Sequence, residues 1–299
     1  MKAFLFPGQG AQYVEMGSSL YERFPAAREV FDRANRLLGF DLARVCFEGP
    51  ETELTRTDIS QPAILACSIA AWRAMGSPDC AAAAGLSLGE YTALVCAGAI
   101  DFDEAITLVR DRGAYMQQAA LEHPGTMASI LNLDRAQVAD VVARAQAAGI
   151  VAEANFNSPG QIVVSGETPA VDMACEVARS MGARVVKLSV SGAFHSPLMQ
   201  PARAKLERRL ESVAIRTPRI TVVANTTARP AHTPGEIRDL LARQVTSPVL
   251  WEDSVRYLLS AGCDEFFEIG PGKVLAGLMR RIRPDVQVSN VDEAETLEH

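Results

Sequence analysis

Cys80-Ala81-Ala82-Ala83-Ala84-Gly85-Leu86-Ser87-Leu88-Gly89-Glu90 is a small-residue apolar run that stops at a glycine and opens into a helical apolar pattern. The run reads as a short buried strand. Gly85-x-Ser87-x-Gly89 matches the nucleophile elbow, a sharp strand-to-helix turn that presents a serine. Glycines on both sides let the backbone turn without Cβ clashes. At a helix N-terminus, free N–H groups and the helix dipole favour negative charge developing near Ser87. The alternative is a serine that merely caps a helix.

Working outward, residues 2–6 read as another short buried strand, interrupted by Pro7-Gly8-Gln9-Gly10. Helical periodicity follows over residues 16–38, and Asp101 with Glu104 is a capping-box-like start for a helix reaching to about residue 121. Strands at 220–224, 265–269 and 286–289 alternate with helices at about 235–244, 251–261 and 272–282. Alternation of this kind predicts an α/β fold with a mostly parallel sheet.

Between them the rhythm changes. Strands are expected at 126–131, 150–156, 162–165 and 184–188, and helices at 134–148 and 168–181. Asn157-Ser158-Pro159-Gly160 is a turn signal joining the middle two strands. The order β-α-β-β-α-β is that of a ferredoxin-like unit. The expected organisation is a hydrolase-like α/β subdomain from residues 1–124 and 191–296, interrupted by a ferredoxin-like subdomain at 125–190. Residues 297–299 read as a possible tag scar.

Bulk properties narrow the class. The 299 residues are 48% hydrophobic and 22% charged, with a net charge of -7, an ordinary globular balance. That acidity argues against nucleic-acid and anionic-membrane partners. No secretory apolar segment and no apolar stretch of about 18 residues occurs, so a cytoplasmic protein is expected. Cys46, Cys67, Cys80, Cys96, Cys175 and Cys263 are scattered without a zinc-ligand spacing and read as buried thiols.

A serine nucleophile needs a base. Of the four histidines, His299 falls at the extreme end, and His123 and His232 look like loop residues. His195 lies in Ser191-Gly192-Ala193-Phe194-His195-Ser196-Pro197, where the chain re-enters the main subdomain, and is the best candidate. Arg112 sits at the edge of an apolar stripe formed by Ile106, Val109, Gly113, Met116 and Ala120. Two readings stay open for it. It snorkels to water along its stem, or it clamps a carboxylate with its planar fork. Gly270-Pro271-Gly272-Lys273-Val274 lacks the glycine spacing and Ser/Thr of a phosphate loop, and Gly8-Gln9-Gly10 lacks the third glycine of a dinucleotide fingerprint.

Six segments in order carry a resemblance. They are residues 6–12 (FPGQGAQ), 85–90 (GLSLGE), 110–113 (RDRG), 192–196 (GAFHS), 244–249 (QVTSPV) and 268–275 (EIGPGKVL). Together they resemble the malonyl-CoA:acyl-carrier-protein transacylase family, including the acyltransferase domains of fatty-acid and polyketide synthases, nearly end to end. The resemblance implies a hydrolase-like subdomain with a ferredoxin-like insertion. It also implies transfer of malonyl from malonyl-CoA to the phosphopantetheine thiol of an acyl carrier protein, by a monomer without metal or redox cofactor. By the same similarity Ser87 is the acylated nucleophile and His195 its base. The N–H groups of Gln9 and Leu88 form the oxyanion hole, and Arg112 holds the malonyl carboxylate. Gln244 orients the histidine through its backbone carbonyl, and Phe194 disfavours a 2-methyl branch. Leu86 departs from the pattern, since many members have histidine before the serine.

Two rival activities remain: a serine thioesterase or hydrolase, in which water takes the second step, and a silent carrier-binding subunit. Lys273, Arg280, Arg281 and Arg283 cluster near one late helix, as a solvated face or as a docking face for an acidic carrier.

Overall fold

The computed structural model describes residues 1–297; the last two residues of the suspected tag scar lie outside them. Two sheets organise the chain. The larger has six strands in the order β10-β9-β1-β2-β7-β8, formed by β1 (Lys2–Phe6), β2 (Ala82–Gly85), β7 (Thr221–Ala224), β8 (Arg229–Pro230), β9 (Glu265–Ile269) and β10 (Val288–Val291). All neighbours pair parallel except β8, which turns back antiparallel on β7. Central parallel strands are covered on both faces, which is why Phe4, Leu5 and Ala82 to Ala84 are buried regardless of parity.

The smaller sheet is antiparallel, in the order β4-β5-β3-β6, from β3 (Thr126–Leu131), β4 (Val151–Ser158), β5 (Gln161–Gly166) and β6 (Arg184–Lys187). Helices Arg135–Ala145 and Thr168–Ser180 cover it and bury their own apolar core around Ile130, Val142, Val164 and Val171. The hairpin is tighter than expected: β4 runs through Ser158, leaving Pro159-Gly160 as the turn. The two units meet where Val249 joins β4, with Phe156 N–H donating to Val249 O and Val249 N–H to Ala154 O, both at 2.9 Å.

Several expected elements differ. The single periodic stretch 16–38 is two helices, Ser18–Arg23 and Pro25–Leu38, because Pro25 starts a new helix at its first position. The strand expected at 286–289 lies at Val288–Val291, where it registers with β9. Helix Phe102–Glu122 forms as expected, but Asp101 does not cap it with its side chain. Both Asp101 carboxylate oxygens instead accept from Arg216, at 2.9 and 2.7 Å, so a two-pronged guanidinium outcompetes the backbone. Helices Leu42–Glu48, Thr57–Ala74 and Gln200–Glu211 were not anticipated. Cys80 is half-buried rather than buried, and the other five cysteines are buried and unpaired. No described helix is long and apolar enough to cross a membrane.

Candidate active site

Gln9, Ser87 and Asn225 follow the carboxyl ends of β1, β2 and β7, the edge of an open parallel sheet where ligands bind. The serine turn is built by close backbone approach. A Cβ on Gly85 would lie 1.9 Å from the Gly89 carbonyl carbon, and one on Gly89 would lie 2.1 Å from the Phe6 carbonyl oxygen. Ser87 itself takes a φ of 52°, a left-handed conformation unfavourable for a side-chain-bearing residue. Asn225 spans the turn: its Oδ1 accepts the Ser87 N–H and its Nδ2 donates to Gly85 O, both at 2.7 Å.

His195 is also left-handed, at φ 58°, in a loop braced by Ser196 Oγ donating to Ala193 O at 2.6 Å. Its Nε2 lies 2.8 Å from Ser87 Oγ, and its Nδ1 lies 2.8 Å from the Gln244 carbonyl oxygen. A carbonyl only accepts, so Nδ1 carries the proton and Nε2 is free to accept from the serine hydroxyl. Gln244 closes helix Pro234–Gln244, whose last carbonyls lack intrahelical partners. The negative end of that helix therefore faces the imidazole, a placement that favours positive charge on the ring. Burial, reinforced by the Arg112 cation, pushes the resting His195 down to about 4, against the opposing pull of the Gln244 carbonyl.

Arg112 does not snorkel. It is 1% exposed, and burial pulls its pKa down. Nη1 donates to Gln61 Oε1 at 2.7 Å, and Nη2 donates to Gln244 Oε1 at 2.9 Å and Ser87 Oγ at 3.0 Å. The guanidinium also lies over the Tyr91 ring at 5.3 Å. All its hydrogen-bond partners are neutral; no carboxylate among the described residues bonds to it. The Nε–H is buried with no hydrogen-bond partner among the described residues.

Ser87, His195, Arg112, Gln9 and Phe194 line one cleft of ≈ 270 Å³ between the sheets, with Leu86 supplying apolar wall. The backbone N–H groups of Gln9 and Leu88 have no acceptor among the described residues. Leu88 and the Gln244 side chain are fully buried behind the cleft. Lys273, Arg280, Arg281 and Arg283, on or flanking helix Val274–Ile282, are exposed. Arg283 is held by Asp285, and Arg281 donates to Gln161 at 2.7 Å.

Three contributors to the site were missed from sequence. Gln61 sits on the unanticipated helix Thr57–Ala74. Asn225 carried one usable signal, a polar residue at the carboxyl end of a buried strand in an α/β sheet. Glu90 belongs to the elbow segment but had no role: its Oε2 accepts from Asn225 N–H at 3.0 Å and Gln244 Nε2 at 2.6 Å.

Comparison with known proteins places this geometry among relatives. Residues 3–297 match the model of the acyl transferase domain. The chain is 43% identical to the malonyl CoA-acyl carrier protein transacylase of Bacillus subtilis, covering 99% of this chain and 95% of the relative. A solved transacylase of the same description from Clostridium perfringens superposes with a TM-score of 0.96 at 40% identity, covering 99% and 95% of the two chains. A malonyl-transacylase solved in complex with a type II polyketide-synthase acyl carrier protein is equally similar, at TM-score 0.96 and 40% identity, over 99% and 97%.

Proposed function

The chain belongs to the acyl transferase domain family, and from that premise we propose that it moves malonyl from malonyl-CoA to the phosphopantetheine thiol of an acyl carrier protein, in fatty-acid or polyketide assembly. The observation that carries the acyl group is Arg112, a buried cation whose hydrogen-bond partners are all neutral, 3.0 Å from the nucleophile. The nearby Glu90 carboxyl acts on this cation without hydrogen-bonding to it and is itself pushed up to about 7 by burial, so the charge is only partly compensated, and a buried charge short of a bonded partner is costly. A substrate that brings its own carboxylate removes that cost, and malonyl does so within reach of its thioester carbon. The carrier as acceptor is supported by the names of the relatives and by the solved complex of one of them with a carrier.

The proposed reaction runs in two halves. Ser87 Oγ attacks the thioester carbon as His195 Nε2 takes its proton, and the N–H groups of Gln9 and Leu88 receive the oxyanion. The C–S bond breaks, and coenzyme A leaves as a thiol with the proton from His195. The carrier thiol then gives its proton to His195 Nε2 and attacks the malonyl ester, and Ser87 recovers the proton as it leaves. Atoms and charge balance without a metal or redox partner. General-base help typically contributes about 10²–10⁴-fold, and each oxyanion donor about 10²–10³-fold. Gln244 keeps the Nδ1 proton in place, and Phe194 beside the base crowds a 2-methyl branch.

The same reading treats residues 125–190 as a subdomain inserted between 1–124 and 191–296, so that the cleft lies between them. A cytoplasmic setting belongs to it too, supported by unpaired cysteines suited to a reducing compartment. The test is product partition with malonyl-CoA and a phosphopantetheinylated carrier. Malonyl-carrier should dominate; free malonate as the main product with carrier present would instead favour the hydrolase.

A further inference from the structure

Glu90 lies in the first turn of helix Gly89–Cys96, 4% exposed, and no step above uses it. A buried carboxyl is costly unless hydrogen bonds recover its lost hydration, so its partners indicate its purpose. One oxygen, Oε2, accepts from both Asn225 N–H and Gln244 Nε2. These two residues hold different parts of the site. Asn225 spans the serine turn through Ser87 N–H and Gly85 O. Gln244 donates to Ser87 O at 3.0 Å, accepts from Arg112, and offers His195 its backbone carbonyl. An amide is ambiguous until something tells its ends apart. Glu90 Oε2, at 2.6 Å the shortest of the three acceptors of Nε2 beside Ser87 O and Asn225 Oδ1, helps hold Nε2 inward, with Gln244 Oε1 facing the guanidinium.

We propose that Glu90 is a positioning residue: by accepting two hydrogen bonds at Oε2 it locks Gln244 and Asn225, and through them the relative placement of Ser87, His195 and Arg112. This rests on the reading of Ser87 and His195 as nucleophile and base. The Arg112 cation acts on Glu90, and Glu90 in turn acts on the neighbouring Tyr91. Burial pushes the carboxyl up to about 7. Both hydrogen bonds fall on Oε2, so a proton on the other oxygen leaves them intact.

Glu90→Gln can set its amide oxygen where Oε2 stands and keep both bonds, whereas Glu90→Leu keeps bulk and loses both. Two rates are measured on the full chain: phosphonylation of Ser87 by a fluorophosphonate, and single-turnover malonylation. Glu90→Gln should stay within about threefold of native, and Glu90→Leu should slow both rates by about 30–100-fold, as sub-ångström to ångström misplacement does. A native rate in Glu90→Leu, or a Gln variant as slow as Leu, overturns the proposal. If the Leu variant does not fold, Glu90→Asp replaces it, since its shorter arm withdraws the oxygen from both donors. Slow Asp with fast Gln then supports the proposal, and native-like Asp overturns it. The fluorophosphonate arm reads Glu90 independently of substrate: native chain that reacts with it but is never malonylated would sink the proposed function alone.

Discussion

Arg112 is held out of water, hydrogen-bonded to amide and hydroxyl oxygens and lying over an aromatic ring, with the Glu90 carboxyl near it but not bonded to it. On the proposed function, its value appears when a substrate carboxylate bonds to it. Arg112→Ala should therefore lower kcat/KM for malonyl-CoA by about 10²–10³-fold, the scale of breaking a buried ion pair. Acetyl-CoA, which has no carboxylate to lose, should change by less than about tenfold. Steady-state kinetics on both thioesters checks this, and unchanged selectivity would reduce Arg112 to a packing residue. His195 makes a second prediction at this scale. Only the neutral imidazole accepts the serine proton, and the group is held near 4 by burial and the nearby cation. As pH falls the base is lost only on passing through that value. Single-turnover acylation should be flat from about pH 8 to about pH 5 and decline below. A midpoint near the ordinary histidine value of about 6.5 would mean that the imidazole is hydrated in the working enzyme.

Elements succeed or fail at this site through close backbone contact. Gly89 packs against the Phe6 carbonyl so tightly that a methyl group has no room. Gly89→Ala should lower stability by about 1–3 kcal/mol through overpacking and displace the serine turn. Thermal unfolding and Ser87 labelling would read the two effects, and an unchanged melting temperature with full labelling would contradict the packing argument. The same scale explains what was legible beforehand. The serine turn, the ferredoxin-like order and the late strands were readable because glycine, turn and alternation signals are local. Helix Thr57–Ala74 was not, because residues 59–72 are buried on every face and leave no polar side to give a period. With that helix went Gln61. Asn225 and Glu90 were illegible for another reason: their function lies in whom they bond, and those partners are about 135 to 155 residues distant in sequence.

At the scale of the whole molecule, two sheets of different construction meet at β4 and Val249, and the cleft opens between them. The parallel sheet places Gln9 and Ser87 just beyond its strand ends, while the hairpin of the smaller sheet contributes Asn155, Asn157 and Gln161 to the facing wall. That division separates the fixed chemistry from the wall against which the rest of a thioester lies. The central claim, that Ser87 carries a carboxylate-bearing acyl group, is tested most directly by intact-mass competition among malonyl-, methylmalonyl- and acetyl-CoA, on native protein and on Ser87→Ala. A single malonyl adduct is expected on the native chain, with little methylmalonyl or acetyl adduct, and none on Ser87→Ala. An adduct that persists without the serine hydroxyl, or acetyl labelling that equals malonyl, would contradict that claim.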